Sequence, residues 1–142
     1  MAIEIEVVRE IMQMVIPFNR FLGFELTDLK PGFARMEVPF RDEFIGDPVR
    51  PALHGGVISA LIDTCGGAAC WTEIEPADRV STVDLRVDYL RPGRKHRLVA
   101  EGRVIRIGNH VGVVDLTAFH SDSPSDLIAC GKGVYNVRRS EG

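Results

Sequence analysis

The sequence predicts an α+β domain in which a long, curved antiparallel β-sheet wraps around one central buried helix, with an additional helix at the N-terminus. Three observations carry this expectation. The segment from Gly55 to Trp71 has helical length and is apolar or small nearly all round, which marks a buried rather than a surface helix. Four stretches after it alternate apolar and polar residues and are joined by short turns, the pattern of antiparallel pairing. A sheet of that length must cover its apolar face, and the Gly55–Trp71 helix is the available cover.

Taken in order, residues Glu4 to Phe21 read as a helix. Val7, Val8, Ile11, Met14, Val15 and Phe18 recur at three- and four-residue spacing, and Pro17 bends or ends it. Phe24 to Leu29 is a short strand. Pro31-Gly32 is a turn, and Phe33 to Phe40 is a second strand, with Phe33, Arg35 and Glu37 alternating with Ala34, Met36 and Val38. A polar loop with Gly46, Pro48 and Pro51 leads into the central helix. Beyond it, Val83, Leu85, Val87 and Tyr89 alternate with Asp84, Arg86 and Asp88. Arg97–Ile107, Val111–His120 and Leu127–Val137 follow as strands, with turns at Pro92-Gly93, Gly108-Asn109 and Ser123-Pro124.

Composition bounds the possibilities. A chain of 142 residues, 45% hydrophobic and 26% charged, is expected to be one domain, residues 1–142, burying its own core. The net charge of −3 provides no global basic field for nucleic acid. No uninterrupted apolar run suits a membrane helix, and Met1-Ala2-Ile3-Glu4-Ile5-Glu6 lacks the basic and apolar stretches of a signal peptide. The expectation is a cytoplasmic protein. Cys65, Cys70 and Cys130 form neither a disulfide framework nor a CxxC pair and read as structural thiols.

Asp63 is the only charged side chain between Gly55 and Trp71. An ionised carboxylate in apolar surroundings is costly unless it is paired or faces a cavity. That makes Asp63 a candidate catalytic group, with Ser59 four residues earlier on the same helix face. The segment His54-Gly55-Gly56 opens the helix. Its first backbone N–H groups lack internal partners and carry the positive end of the helix dipole. Two glycines let a ligand approach them, so these groups can stabilise an oxyanion. Gly55 and Asp63 are eight residues apart, roughly 12 Å along a helix at 1.5 Å per residue. If both act on one carbonyl, a second copy must contribute one of them, and a homodimer with two shared sites is expected.

The run His54-Gly55-Gly56, with Leu61, Asp63 and Gly66-Gly67, resembles the PaaI-like (phenylacetate-degradation type) thioesterases of the hotdog superfamily. The later Ser81-Thr82-Val83-Asp84-Leu85 and Tyr89-Leu90-Arg91-Pro92 extend the similarity over about residues 18–137. The resemblance implies a hotdog fold, assembly as a homodimer or homotetramer, and hydrolysis of an acyl-CoA thioester, with coenzyme A part of the substrate and no cofactor or metal. It implies Asp63 as general base or nucleophile, the Gly55 N–H as the group polarising the carbonyl, Thr82 as a hydroxyl holding the attacking water, and His54 as a supporting hydrogen-bonder. Gly56, Ser59 and Arg91 are candidate substrate-binding residues. One departure stands out. Many relatives carry an asparagine about six residues before the motif histidine, where this chain has Pro48.

Other constellations weigh less. Arg91, Arg94, Lys95 and Arg97 surround Pro92-Gly93 and could meet coenzyme A phosphates or form a solvated turn. His96, His110 and His120 lack metal-ligand spacing, Gly131 and Gly133 complete no GxGxxG, and no GxSxG elbow occurs. Two rival functions are a hotdog hydratase or dehydratase and a non-catalytic acyl-CoA binder. Gly46-Asp47-Pro48-Val49-Arg50-Pro51 faintly resembles fatty-acid dehydratases, but Glu43 and Val57 stand where those carry a histidine and an acid.

Overall fold

The computed structural model describes residues 4–141. Its elements in chain order are α1 (Ile5–Glu10), a π-helical turn (Ile11–Val15), α2 (Pro17–Leu22), β1 (Glu25–Lys30), β2 (Phe33–Val38), a 3₁₀ turn (Asp42–Phe44), β3 (Ile45–Asp47), β4 (Ala52–Leu53), α3 (Gly55–Trp71), β5 (Arg79–Tyr89), β6 (Leu98–Ile107), β7 (Val111–His120) and β8 (Ala129–Arg138). Six strands form one sheet in the order β1-β2-β6-β7-β8-β5, and every neighbouring pair is antiparallel. The short β3–β4 pair occupies what the sequence reads as a polar loop.

Helix α3 lies against this sheet. Its buried residues Ile58, Leu61, Ile62, Cys65, Ala68, Ala69 and Cys70 share one core with Met36, Leu98, Ala100, Val114, Leu116 and Ala118 of the strands. Cys65 is fully buried, and its thiol donates to the carbonyls of Ala34 and Ala100 at 3.4 and 3.5 Å. Burial pushes that thiol up to about 12, so it is an inert packing group. All three cysteines are free. Among the described residues, no helix is long and apolar enough to cross a membrane.

The N-terminal region differs from the single helix expected over Glu4–Phe21. The chain leaves α1 through one π turn, closed by the Ile16 N–H donating to the Ile11 carbonyl at 3.1 Å. It then becomes extended at Ile16 (φ −77°, ψ 112°) and restarts with Pro17 at the first helical position. The cause is local. The proline ring pushes the residue before it out of the helical region, and proline suits the first turn because its missing N–H would have no partner there. Helix α2 ends at Gly23, whose φ of 79° is a left-handed cap.

Strand β5 is an edge. Its partner is β8 on one side, and along its 11 residues the other side has no partner strand among the described residues. Val83 (65% exposed) and Tyr89 (52% exposed) stand in solvent. The β5–β8 register slips between Thr82 and Asp84, so Val83 is the extra residue of a β-bulge.

Candidate active site

Asp63 sits in the middle of α3, half-buried, and is held by two hydroxyls. The Thr82 hydroxyl donates to Asp63 Oδ1 at 2.8 Å. The Tyr135 hydroxyl donates to the Asp63 backbone carbonyl at 2.9 Å and lies 3.4 Å from Oδ1. Thr82 and Tyr135 are register partners across β5 and β8, and the bulge after Thr82 re-aims that strand at the site. Both contacts orient the carboxylate through Oδ1. Oδ2 accepts no hydrogen bond among the described residues, so one oxygen is free to take a proton. Burial, followed by the neighbouring Asp63 charge, pushes the Tyr135 phenol up, and it stays protonated as a donor.

A cavity of about 200 Å³ opens beside Asp63. Met12 and Ile16 of the N-terminal segment, Asn19 of α2, Gly67 and Trp71 of α3, and Val80 and Thr82 of β5 line it. Asn19 is 3% exposed. Its amide nitrogen lies 3.8 Å from the Met12 sulfur, the one side-chain hydrogen bond it makes among the described residues.

The start of α3 forms a second region. The His54 N–H donates to the Phe44 carbonyl at 2.8 Å, and the Leu53 N–H donates to the Gly93 carbonyl at 3.0 Å. His54 caps α3, its Nδ1 accepting from the Gly56 N–H at 2.8 Å. Because a backbone nitrogen can only donate, a neutral His54 carries its proton on Nε2. Gly56 is therefore engaged, while the Gly55 N–H, at the first helical position, has no acceptor among the described residues. The Tyr89 hydroxyl donates to the Gly55 carbonyl at 3.0 Å. A cavity of about 500 Å³ lies here, lined by Leu53, Gly55, Ile58, Tyr89, Arg91 and Gly93, among others.

The structure thus brings Asp63 and Thr82 together but places them in a different cavity from Gly55, and apart from His54 and Gly56, as the length of α3 requires. Ser59 does not join Asp63; its hydroxyl donates to the Gly56 carbonyl at 3.2 Å. Arg91 lines the Gly55 cavity with Nη1 3.7 Å from Asp126 Oδ1. Arg94 pairs with Asp122 at 2.6 Å, and Arg97 pairs with Glu25 at 2.7 Å and Glu37 at 3.3 Å. Of the basic cluster around Pro92, Lys95 alone has no such pair among the described residues. Tyr135 and Asn19 were not singled out from the sequence. Tyr135 carries one signal there: Gly133 precedes it on the same strand face, and a Cβ at Gly133 would lie 2.5 Å from its ring.

Comparison with known proteins bears on the fold and the family. The family model described as the thioesterase superfamily matches residues 51–125. A medium/long-chain acyl-CoA thioesterase, YigI of Salmonella typhimurium, is 35% identical over 94% of this chain and 93% of its own length. A putative esterase of Halobacterium salinarum is 34% identical over 85% of this chain and 84% of its own length. Among solved structures, a Shewanella oneidensis protein related to the thioesterase superfamily superposes with a TM-score of 0.82 at 29% identity, covering 92% of this chain and 93% of that one. A buried helix carrying one tethered carboxylate, inside a six-stranded hotdog sheet and matched over nearly its full length by such relatives, identifies this chain as a member of the thioesterase superfamily.

Proposed function

We propose that this protein hydrolyses medium-chain acyl-CoA thioesters at sites shared between two copies. The single observation that carries the mechanism is the Asp63 carboxylate, tethered through Oδ1 by Thr82 and Tyr135, with Oδ2 left free beside a cavity. A water placed there passes one proton to Asp63 Oδ2 as its oxygen attacks the thioester carbon. The oxyanion that forms accepts from the Gly55 N–H at the positive end of α3. Collapse breaks the C–S bond and releases coenzyme A as thiolate, which takes up the proton held on Asp63. The products are the free acid and the thiol.

The geometry within one chain supports sharing. Gly55 and Asp63 line separate cavities, and the 11-residue outer edge of β5 has no partner strand among the described residues. Such an edge is a template for a second strand. Pairing β5 with β5 of another copy would extend the sheet and set the start of one α3 beside the middle of the other. Arg91, exposed in the lining of the Gly55 cavity, suits the phosphates of coenzyme A, and Lys95 follows four residues later, also exposed. The free thiols fit a reducing, cytoplasmic setting.

A complementation experiment tests this reading. Asp63→Asn removes the base and should lower thiol release from acyl-CoA by about 10²–10⁴-fold. Gly55→Pro removes the N–H at a backbone that accepts proline: proline suits the first helical position, and His54 already has the extended backbone that precedes proline (φ −63°, ψ 131°), although its ring also presses on Tyr89, whose Cε1 and Cζ a Cβ there would meet at 3.3 Å. Each variant alone should be nearly inactive. Mixed after denaturation and refolding, they should recover about a quarter of wild-type activity, because half of random dimers are mixed and each has one intact site. No recovery in the mixture rules out shared sites. Hydration of an enoyl-CoA, or tight acyl-CoA binding without turnover, would replace hydrolysis with one of the rival functions.

A further inference from the structure

Among the described residues, nothing packs against the helix-interior Gly67 closely enough to require a glycine. Interior glycine costs a helix about 1 kcal/mol relative to alanine, so packing should demand it. At neighbouring Gly66 packing does: a Cβ there would lie 2.0 Å from the Tyr135 hydroxyl. At Gly67 a Cβ would meet nothing within 4 Å. The space in front of Gly67 is the cavity that also holds Asp63.

The cavity has a direction. Asp63, Gly67 and Trp71 follow one another at four-residue spacing, hence along one face of α3. Strand β5 runs beside them in the opposite sense, with Thr82 bonded to Asp63 and Val80 farther along in the same lining. Met12 and Ile16 line it from the N-terminal segment, and Trp71 stands at the end of α3. Thr64, Ser81, Asn19 and Tyr135 add polar atoms to the lining near Asp63 and Thr82, and the remainder, Met12, Ile16, Gly67, Trp71 and Val80, is apolar or glycine. A volume of about 200 Å³ exceeds the roughly 150 Å³ that accepts a benzene-sized guest.

We infer that Gly67 is the chain-length gate of an acyl channel that starts at Asp63 and ends at Trp71. This rests on the acyl-CoA reading of the site and specifies how it selects its substrate. At 1.5 Å per residue, Gly67 is roughly 6 Å and Trp71 roughly 12 Å from Asp63 along the axis. An extended alkyl chain of 1.5 Å bonds advances about 1.25 Å per carbon. The channel therefore takes about five carbons up to Gly67 and about nine or ten up to Trp71. A side chain at position 67 fills the passage midway.

Binding of non-hydrolysable S-alkyl-CoA thioethers, ethyl to dodecyl, measured by calorimetry, tests this apart from catalysis. For the wild-type protein, affinity should rise up to about fourfold per added methylene and level off near nine or ten carbons. Gly67→Leu should level off near five, leaving the decyl thioether bound roughly 100-fold more weakly while the ethyl one is little changed. Trp71→Ala should move the plateau to longer chains. Superimposed curves for wild type and Gly67→Leu overturn the inference. So does equal loss at every length with a change in oligomeric state on sedimentation, which would assign Gly67 to contact with a second copy. Thiol release and its dependence on Asp63, measured separately, decide whether the protein is a hydrolase at all.

Discussion

Two adjacent glycines should respond oppositely to the same substitution. In Gly66→Ala the new methyl would stand 2.0 Å from the Tyr135 hydroxyl oxygen and 2.7 Å from Cζ, against a comfortable separation of about 3.5 Å. Tyr135 is 1% exposed and has little room to retreat, and Gly133 also lies against its ring; a Cβ there would lie 2.5 Å from Cε2. Overpacking of this kind costs about 1–3 kcal/mol. Displacing the hydroxyl from the Asp63 carbonyl leaves a buried donor unsatisfied, about 1–3 kcal/mol more. The gain in helix propensity returns about 1 kcal/mol. The net is a loss of about 1–5 kcal/mol, or about 3–15 °C at roughly 3 °C per kcal/mol for a domain of this size. Gly67→Ala keeps the propensity gain without the clash and should raise the midpoint by about 2–3 °C. Thermal unfolding at one fixed protein concentration reads both. Equal shifts for the two variants would refute the packing of Tyr135 against Gly66.

Thr82→Val keeps the shape of the side chain but removes the 2.8 Å bond to Asp63. A hydrogen bond to a charged group is worth about 1.5–3 kcal/mol, so kcat should fall about 10- to 100-fold with little change in stability, Thr82 being exposed; Thr82→Ser should retain most activity, and an unchanged kcat in Thr82→Val would remove Thr82 from the site. His120, 1% exposed, accepts the Arg94 N–H at Nε2 (2.8 Å), and its Nδ1–H donates to the Arg97 carbonyl at 3.0 Å. Burial holds its pKa below the ordinary value of about 6.5, opposed by the hydrogen bond to the Arg97 carbonyl and by Asp122, with the Arg94 and His96 charges adding to the depression. The unfolded chain therefore takes up the proton first. The contribution of His120 to stability is whole above about pH 6.5 and is lost as pH falls toward the lower folded value. The urea midpoint of the wild-type protein should drop between pH 7 and 5.5, and the drop should be shallower in His120→Gln, whose amide can make both backbone bonds uncharged.

Much of this was legible in the amino-acid order, because it is governed by short-range periodicity. The all-round apolar segment Gly55–Trp71 had to be the buried helix, and its single carboxylate had to face a cavity or a partner. The alternation of the later segments and their turns specified strands and antiparallel order. Local rules read less surely where two of them compete: Pro17 bends or ends a helix on paper, whereas here it ends one and starts another.

The partners of Asp63 were of another kind. Thr82 lies 19 residues away and Tyr135 lies 72 residues away, and no local pattern says that β5 and β8 pair or that a bulge falls after Thr82. Ser59 obeyed helix spacing yet turned its hydroxyl to the Gly56 carbonyl, because a short side chain bonds the nearest backbone acceptor rather than a group on the next turn. Nor could spacing distinguish Gly66, which a tyrosine ring crowds, from Gly67, which opens on empty space. Periodicity decides which side of an element is buried. The atoms met there are set by strand register and by the packing of distant segments, and those exist only once the chain has folded.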